Sequence, residues 1–304
     1  MEKSLAPSQK VVTHRDSKGI KFFSIVEAAY DKARLSEEEA QRVNDTPGLA
    51  ELIGNFIAES RATNKYASEE VKSNYVYPKE YKGPKPISEQ INILARILEL
   101  DPIQALEYAK NLPQLPEGAE GWFAVPSVDA LVKKYFPEVT DPADKYCRAV
   151  QLVHQKIAES RSFYNYREGQ ITPAQLRVSA RTAHSLNLIA EKQPGSDILI
   201  IAAQLGIGHR GRSVRRAREV FVVNEFGLNS LSGNSILLVH PERLVRWEDL
   251  GMDYPGDEFA PETDGDFSEA PGVDFSDGRV GFGTVLVGDP DGHFGSASGF
   301  LPQG

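Results

Sequence analysis

The stretch GIGHRGRSVRRAR, from Gly206 to Arg218, follows the apolar segment DILIIAAQ. A glycine-rich loop between a strand and a helix can cradle phosphate, because backbone N–H groups and a helix N-terminus meet there. Gly206, Gly208 and Gly211 formally satisfy G-x-G-x-x-G. The helix-forming residues start only afterwards, and no acidic residue follows a second strand at the ribose position. No dinucleotide, and no other cofactor, is therefore expected. Arg210, Arg212, Arg215, Arg216 and Arg218 could contact nucleic acid. The simpler expectation is an exposed basic face paired with an acidic C-terminal segment. The six histidines (His14, His154, His184, His209, His240 and His293) show no metal-ligand spacing. The only cysteine, Cys147 in DKYCRAV, reads as a buried structural residue on a helix face. DGD at Asp264–Asp266 and GDPDG at Gly288–Gly292 have oxygen ligands that would suit calcium, but no EF-hand ladder accompanies them. Ordinary Asp-Gly turn chemistry accounts for both, and no metal is expected. No G-x-S-x-G elbow, H-E-x-x-H or kinase signature is present, so no catalytic residue is assigned.

Length and composition bound what these residues can serve. A chain of 304 residues can bury a proper core in one or two domains. Apolar residues at 40% and charged residues at 25% are those of an ordinary globular protein. The longest apolar stretch, ILIIAAQLGIG, is strand-sized and too short to span a bilayer. The first residues, MEKSLAPSQK, lack the apolar segment of a secretory signal, and a cytoplasmic location is expected. One cysteine excludes an intrachain disulfide. The net charge of −9 is concentrated at one end: residues 248–304 hold 13 Asp and Glu against a single basic residue, Arg279. Phosphates would be repelled there, which makes nucleic acid a poor partner for that end.

The elements follow from periodicity and punctuation. Residues 20–112 read as helical, with a capping box at Ser36 and Glu39, Thr46 with Pro47 opening a helix, and Ser88 and Asp101 as N-caps. These helices could also join copies of the chain in a homo-oligomer. Pro/Gly punctuation in LPQLPEGAEG sets a domain boundary near residue 116. Then come a strand in GWFAVP, a helix in SVDALVKKYF, and two further helices in 142–192, the second spanning TPAQLRVSARTAHSLNLIAEK. DILIIAAQ is the clearest strand. VDFSDGRVGFG reads as a hairpin turning at Asp277-Gly278. Trp122 and Trp247 are expected in the core. The class is α+β, with a helical N-terminal domain over 1–116 and a mixed domain over 117–304.

Three of these stretches resemble one family. GWFAVPSVDAL, LIIAAQLGIGHRGRSV and VDFSDGRVGFG…HFGSASGF are similar to the entry strand, central strand and loop, and closing hairpin of C-type-lectin-fold domains of the formylglycine-generating-enzyme type. The chain as a whole is also similar to proteins of candidate-phylum bacteria, a likeness that implies no activity. The lectin resemblance implies a small twisted antiparallel sheet shared by Ile198–Ala203 and Val273–Val287, with residues near 142–192 as a helical insertion. Formylglycine-generating chemistry needs two cysteines and is excluded by the single Cys147.

The same fold serves the variable proteins of diversity-generating retroelements. Their mutated codons never encode Lys, Glu, Gln, Met or Trp, and Ala270–Pro302 contains none of these five. The resemblance therefore implies a non-enzymatic ligand-binding, display-type protein. Val280 and Phe282 would point inward. Thr284, Val285, Asp289, Asp291, His293 and Phe294 would form the ligand face, for a protein or carbohydrate ligand. Two alternatives stand beside it: a nucleic-acid-associated protein acting through Arg210–Arg218, and an enzyme of undiagnosed chemistry.

Overall fold

The computed structural model describes residues 12–61 and 65–302. Three helices come first: α1 (Ser17–Ala33), α2 (Glu37–Asn44) and α3 (Leu49–Arg61). The capping box is present, with Ser36 accepting from the Glu39 N–H and Glu39 accepting from the Ser36 N–H. Burial is sparse here. Phe23, Ile25, Leu52 and Phe56 are each more than half exposed.

The chain then enters its core. The helices α4 (Ile87–Leu98) and α5 (Ile103–Tyr108) precede β1 (Gly121–Pro126). Helix α4 starts one residue before the expected cap Ser88, behind Pro86. Asp101 does accept from the Ile103 N–H, at 2.9 Å. The Pro/Gly stretch near 116 does not divide the core, since Ile91, Leu94 and Leu98 pack in one cluster with Phe123, Ile200 and Phe282.

Next come α6 (Val128–Tyr135), capped by Ser127, and α7 (Pro142–Ser160), capped by Asp141 with Pro142 in the first turn. Strands β2 (Phe163–Asn165) and β3 (Leu176–Val178) lead to α8 (Ala180–Lys192). The helix expected across residues 172–192 is thus half strand: Leu176–Val178 pairs with residues 257–259, and only the part after Ser179 is helical. Helix α7 is central to the core. Tyr146 donates to the buried Asp257, and His154 receives the Asn234 amide at 2.9 Å. Burial drives the His154 imidazole down to about 3, so it sits there uncharged.

Strand β4 (Ile198–Gln204) is buried at every residue, as a run of β-branched residues between two layers should be. After it come α9 (Val214–Val220), β5 (Glu225–Gly227) and α10 (Ser230–Val239). Helix α10 is also buried all round. The remainder is strand: β6 (Gly251–Asp253), β7 (Asp257–Phe259), β8 (Glu269–Ser276), β9 (Arg279–Leu286), β10 (Phe294–Ser296) and β11 (Ser298–Phe300).

The expected single antiparallel sheet gives way to two. One has the order β1-β4-β11-β5 and is antiparallel. The other runs β10-β6-β8-β7-β3, with β9 along β8 and β2 along β9; the β10–β6 and β2–β9 pairs are parallel. Ile198–Ala203 and the hairpin therefore lie in different sheets. The division falls at Ala297, where the chain steps from β10 in one sheet to β11 in the other. No helix among the described residues is long and apolar enough to cross a membrane.

Candidate functional site

Two glycine-rich places could receive a ligand. The first is the loop after β4. Gly206 and Gly211 have φ of 114° and 73°, where a side chain is strained. A Cβ would also lie 2.8 Å from the Gly295 carbonyl oxygen at Gly206, and 2.2 Å from that of Val71 at Gly211. The loop is therefore filled by the protein's own backbone. The Gly206 and Gly208 amides, candidate phosphate donors, are taken by the Gln204 side-chain oxygen at 2.7 and 3.2 Å.

A cleft of about 530 Å³ opens beside this loop, with Val222, Val223 and Phe300 facing Ala50, Glu51 and Asn55 of α3. At its floor Glu225 Oε1 lies 2.6 Å from His209 Nε2 and accepts from Ser298 Oγ at 2.5 Å. Arg212 donates to His209 Nδ1 at 2.9 Å, so the ring's proton sits on Nε2 and goes to Glu225. Burial pushes the Glu225 carboxyl up, but hydrogen bonds from His209, Ser298 and the Val222 N–H outweigh it and hold the group below its usual range. Serine, histidine and glutamate are the residue types of acyl transfer, yet their connection is wrong for it. The hydroxyl reaches the carboxylate, not the imidazole, so histidine cannot take the serine proton. The cluster instead clamps β4, β5 and β11 together.

The basic run is engaged inside the chain. Arg215 pairs with Glu69, while Arg212 and Arg216 pair with Glu70. Arg210 donates to the Tyr75 carbonyl, and Arg218 to those of Pro255 and Asp257. The carboxylate partners are Glu69 and Glu70, not the acidic C-terminal segment expected. Cys147 is buried, and burial pushes its thiol up to about 12, leaving no reactive thiolate. Among the described residues no group of three or more His, Cys, Asp or Glu could hold a metal ion.

The second place is the outer face of the hairpin. Asp277 and Gly278, with φ of 50° and 74°, form the expected two-residue turn. Strand alternation then sorts the side chains. Val273, Val280 and Phe282 face inward and are buried. Gly272 pairs with Gly283, and Asp274 with Gly281, on the opposite face. A shallow trough of about 140 Å³ lies there, between Tyr166 and Phe294. The missing side chains make room for both rings: a Cβ on Gly281 would lie 3.0 Å from the Tyr166 ring, and one on Gly251 would lie 2.8 Å from the Phe294 ring. Asp274 stands on the strand between them, and burial raises its carboxyl above the usual range.

The six expected ligand-face residues divide three ways. Thr284, Val285 and Phe294 line the trough, although the Thr284 hydroxyl also bonds to Arg167 and Glu269. Asp289 and Asp291 are exposed on the following turn, where Asp291 accepts from the His293 N–H. His293 is buried, not displayed. Its ring packs 4.4 Å from Trp247 and 4.6 Å from Tyr75, and Nε2 donates to the Trp247 and Asp249 carbonyls. Trp247, expected in the core, is half-exposed over this histidine. Tyr166, Asp274 and the glycine floor escaped the sequence reading. Their only trace there is the alternation of glycines with apolar residues in RVGFG.

Burial gives a second reason for the missing Lys, Glu and Gln. Ala270, Val273, Val280, Phe282, Ser296, Ala297, Ser298 and Phe300 are all in the interior. Comparison with protein-family models, curated proteins and solved structures found no match to this chain.

Proposed function

We propose that the protein is a non-enzymatic ligand-binding protein whose ligand face is the outer face of the β8–β9 hairpin, with the turn carrying Asp289 and Asp291. One observation carries this reading. The hairpin is core on one side and an aromatic-flanked, glycine-floored trough on the other. Side chains on the open side can change with little effect on packing, which is what a display surface needs. Under this reading the C-terminal part is a C-type-lectin-like domain presenting a protein or carbohydrate ligand site. The exposed apolar residues of α1 and α3 join copies of the chain.

The test is a thermal-denaturation series from Gly278 to Phe300. Val285→Ala, Asp289→Ala and Asp291→Ala should leave the melting temperature within a degree or two, while Val280→Ala and Phe282→Ala lower it strongly. Equal losses on both faces would make the hairpin a packed structural element and end the reading. Diversification of the tail by a retroelement has its own test. A near-copy of its coding DNA, with adenines at the varying positions, should lie beside a reverse-transcriptase gene.

A further inference from the structure

The trough holds more unspent acceptor capacity than a display surface requires. The Asp274 carboxyl accepts a long hydrogen bond from the Ser276 hydroxyl, at 3.4 Å, and one from its own backbone N–H. Asp253, on β6, is buried, and its Oδ1 has no hydrogen-bond partner among the described residues. Asp253 pairs with Gly272, and the same Oδ1 lies 3.0 Å from the Cβ position of that glycine. An unpaired carboxylate oxygen thus adjoins the glycine floor. A buried carboxylate oxygen left without a donor is costly unless something outside the chain supplies one.

The walls narrow what that donor or charge can be. Phe294 lies over Gly251 on β6, and Tyr166 over Gly281 on β9, with β8 between. Two interstrand spacings, about 9.6 Å, separate the glycines beneath the two rings. A cation held over Asp274, midway between the two rings, would sit within about 6 Å of both. No Lys or Arg among the described residues lines the trough. Arg279, on the same face at the hairpin tip, lies over the Tyr164 ring, at 4.4 Å. Aromatic rings with a carboxyl between them, in a space of this small volume, suit an alkylated ammonium head.

We infer that the trough binds a quaternary or N-methylated ammonium group, held between Tyr166 and Phe294 with Asp274 as its counter-charge and the buried Asp253 carboxyl beneath the glycine floor. The inference rests on the ligand-face reading above and names the group that face recognises. Free choline and the side chain of trimethylated lysine carry the same head on different bodies.

The experiment is a titration of the full chain followed through backbone amide NMR signals of Gly272, Gly281 and Gly283. The probes are choline, Nε-trimethyl-lysine, and 3,3-dimethylbutan-1-ol, the uncharged carbon isostere of choline. At least one cation should shift these signals at concentrations where the isostere does not, and the tighter of the two identifies the body that carries the head. Asp274→Asn should weaken binding about tenfold, in keeping with the loss of one partly desolvated charge contact. Gly283→Val should abolish it by filling the trough; a Cβ there meets nothing nearer than the Tyr166 ring at 4.0 Å, so the fold tolerates the change. Equal binding of the isostere would overturn the cation and leave the trough as a ligand site. Binding indifferent to both variants, or no shift with any probe, would overturn the inference; the ligand-face reading would still be judged by its own denaturation series.

Discussion

The loop at Gly206–Gly211 and the trough at Gly272–Gly283 use the same residue for opposite ends. In the loop, absent side chains let two stretches of the protein's own backbone meet, and the polar groups around them are spent on each other. In the trough, absent side chains leave room beneath two aromatic rings, and one buried carboxyl oxygen, on Asp253, has no partner among the described residues. A glycine-rich motif therefore marks close approach, and only the neighbouring strands decide whether the visitor is internal or external. Charge divides the same way. Every arginine of the basic run has an internal partner, whereas the trough has no cation of its own.

The comparison can be broken first at the hairpin's inner face. Phe282→Ala should cost about 3–5 kcal/mol in urea denaturation, the usual range for a fully buried phenylalanine. A loss below 1 kcal/mol, roughly the cost of a surface change, would mean that this face is not core. Gly211→Ala comes next, at about 2–4 kcal/mol, since it adds a side chain at positive φ against the Val71 carbonyl. If the variant melts like wild type, the loop is not closed as described.

A pH scan sharpens the trough side. Burial, with Asp291 nearby, raises the Asp253 carboxyl to about 7, so the folded protein holds a proton that the unfolded chain releases near pH 4. Its contribution to stability is intact at low pH and is lost as pH rises through about 7. Asp253→Asn should therefore raise the melting temperature at pH 8 and change it little at pH 4; the reverse order would refute the assignment. The smallest effect is expected at Gly283→Ala, within about half a kcal/mol, because the new methyl enters open space.

Much of this was legible in local sequence where local chemistry decides the outcome. Asp277-Gly278 announced its hairpin, the β-branched run at 198–204 its strand, and Ser36 with Glu39 its capping box. Other elements depend on distant partners. Leu176–Val178 has no strand signal of its own and is held by Asp257–Phe259. Helix α10 is buried on every side, with serines and Asn234 among its apolar residues, so no helical stripe marks it. Glu69 and Glu70 lie well over a hundred residues before the arginines they bind, and only the fold could reveal that pairing. The trough needs the register of four strands before its glycines, Asp253 and Asp274 share one face. His293 read as a display residue because a histidine on an Asp-Gly turn looks exposed until Trp247 and Tyr75 are brought over it.

The position of β11 has a consequence for synthesis. It lies between β4 and β5, yet it is made after both. While the chain emerges from the ribosome, β4 can pair with β1 along one edge only. Its other edge, part of a buried and almost wholly apolar strand, stays open until Ser298–Phe300 arrive. An open apolar edge is a template for pairing with another chain. A nascent chain stalled after β10 should therefore be the form of this protein most prone to capture by chaperones.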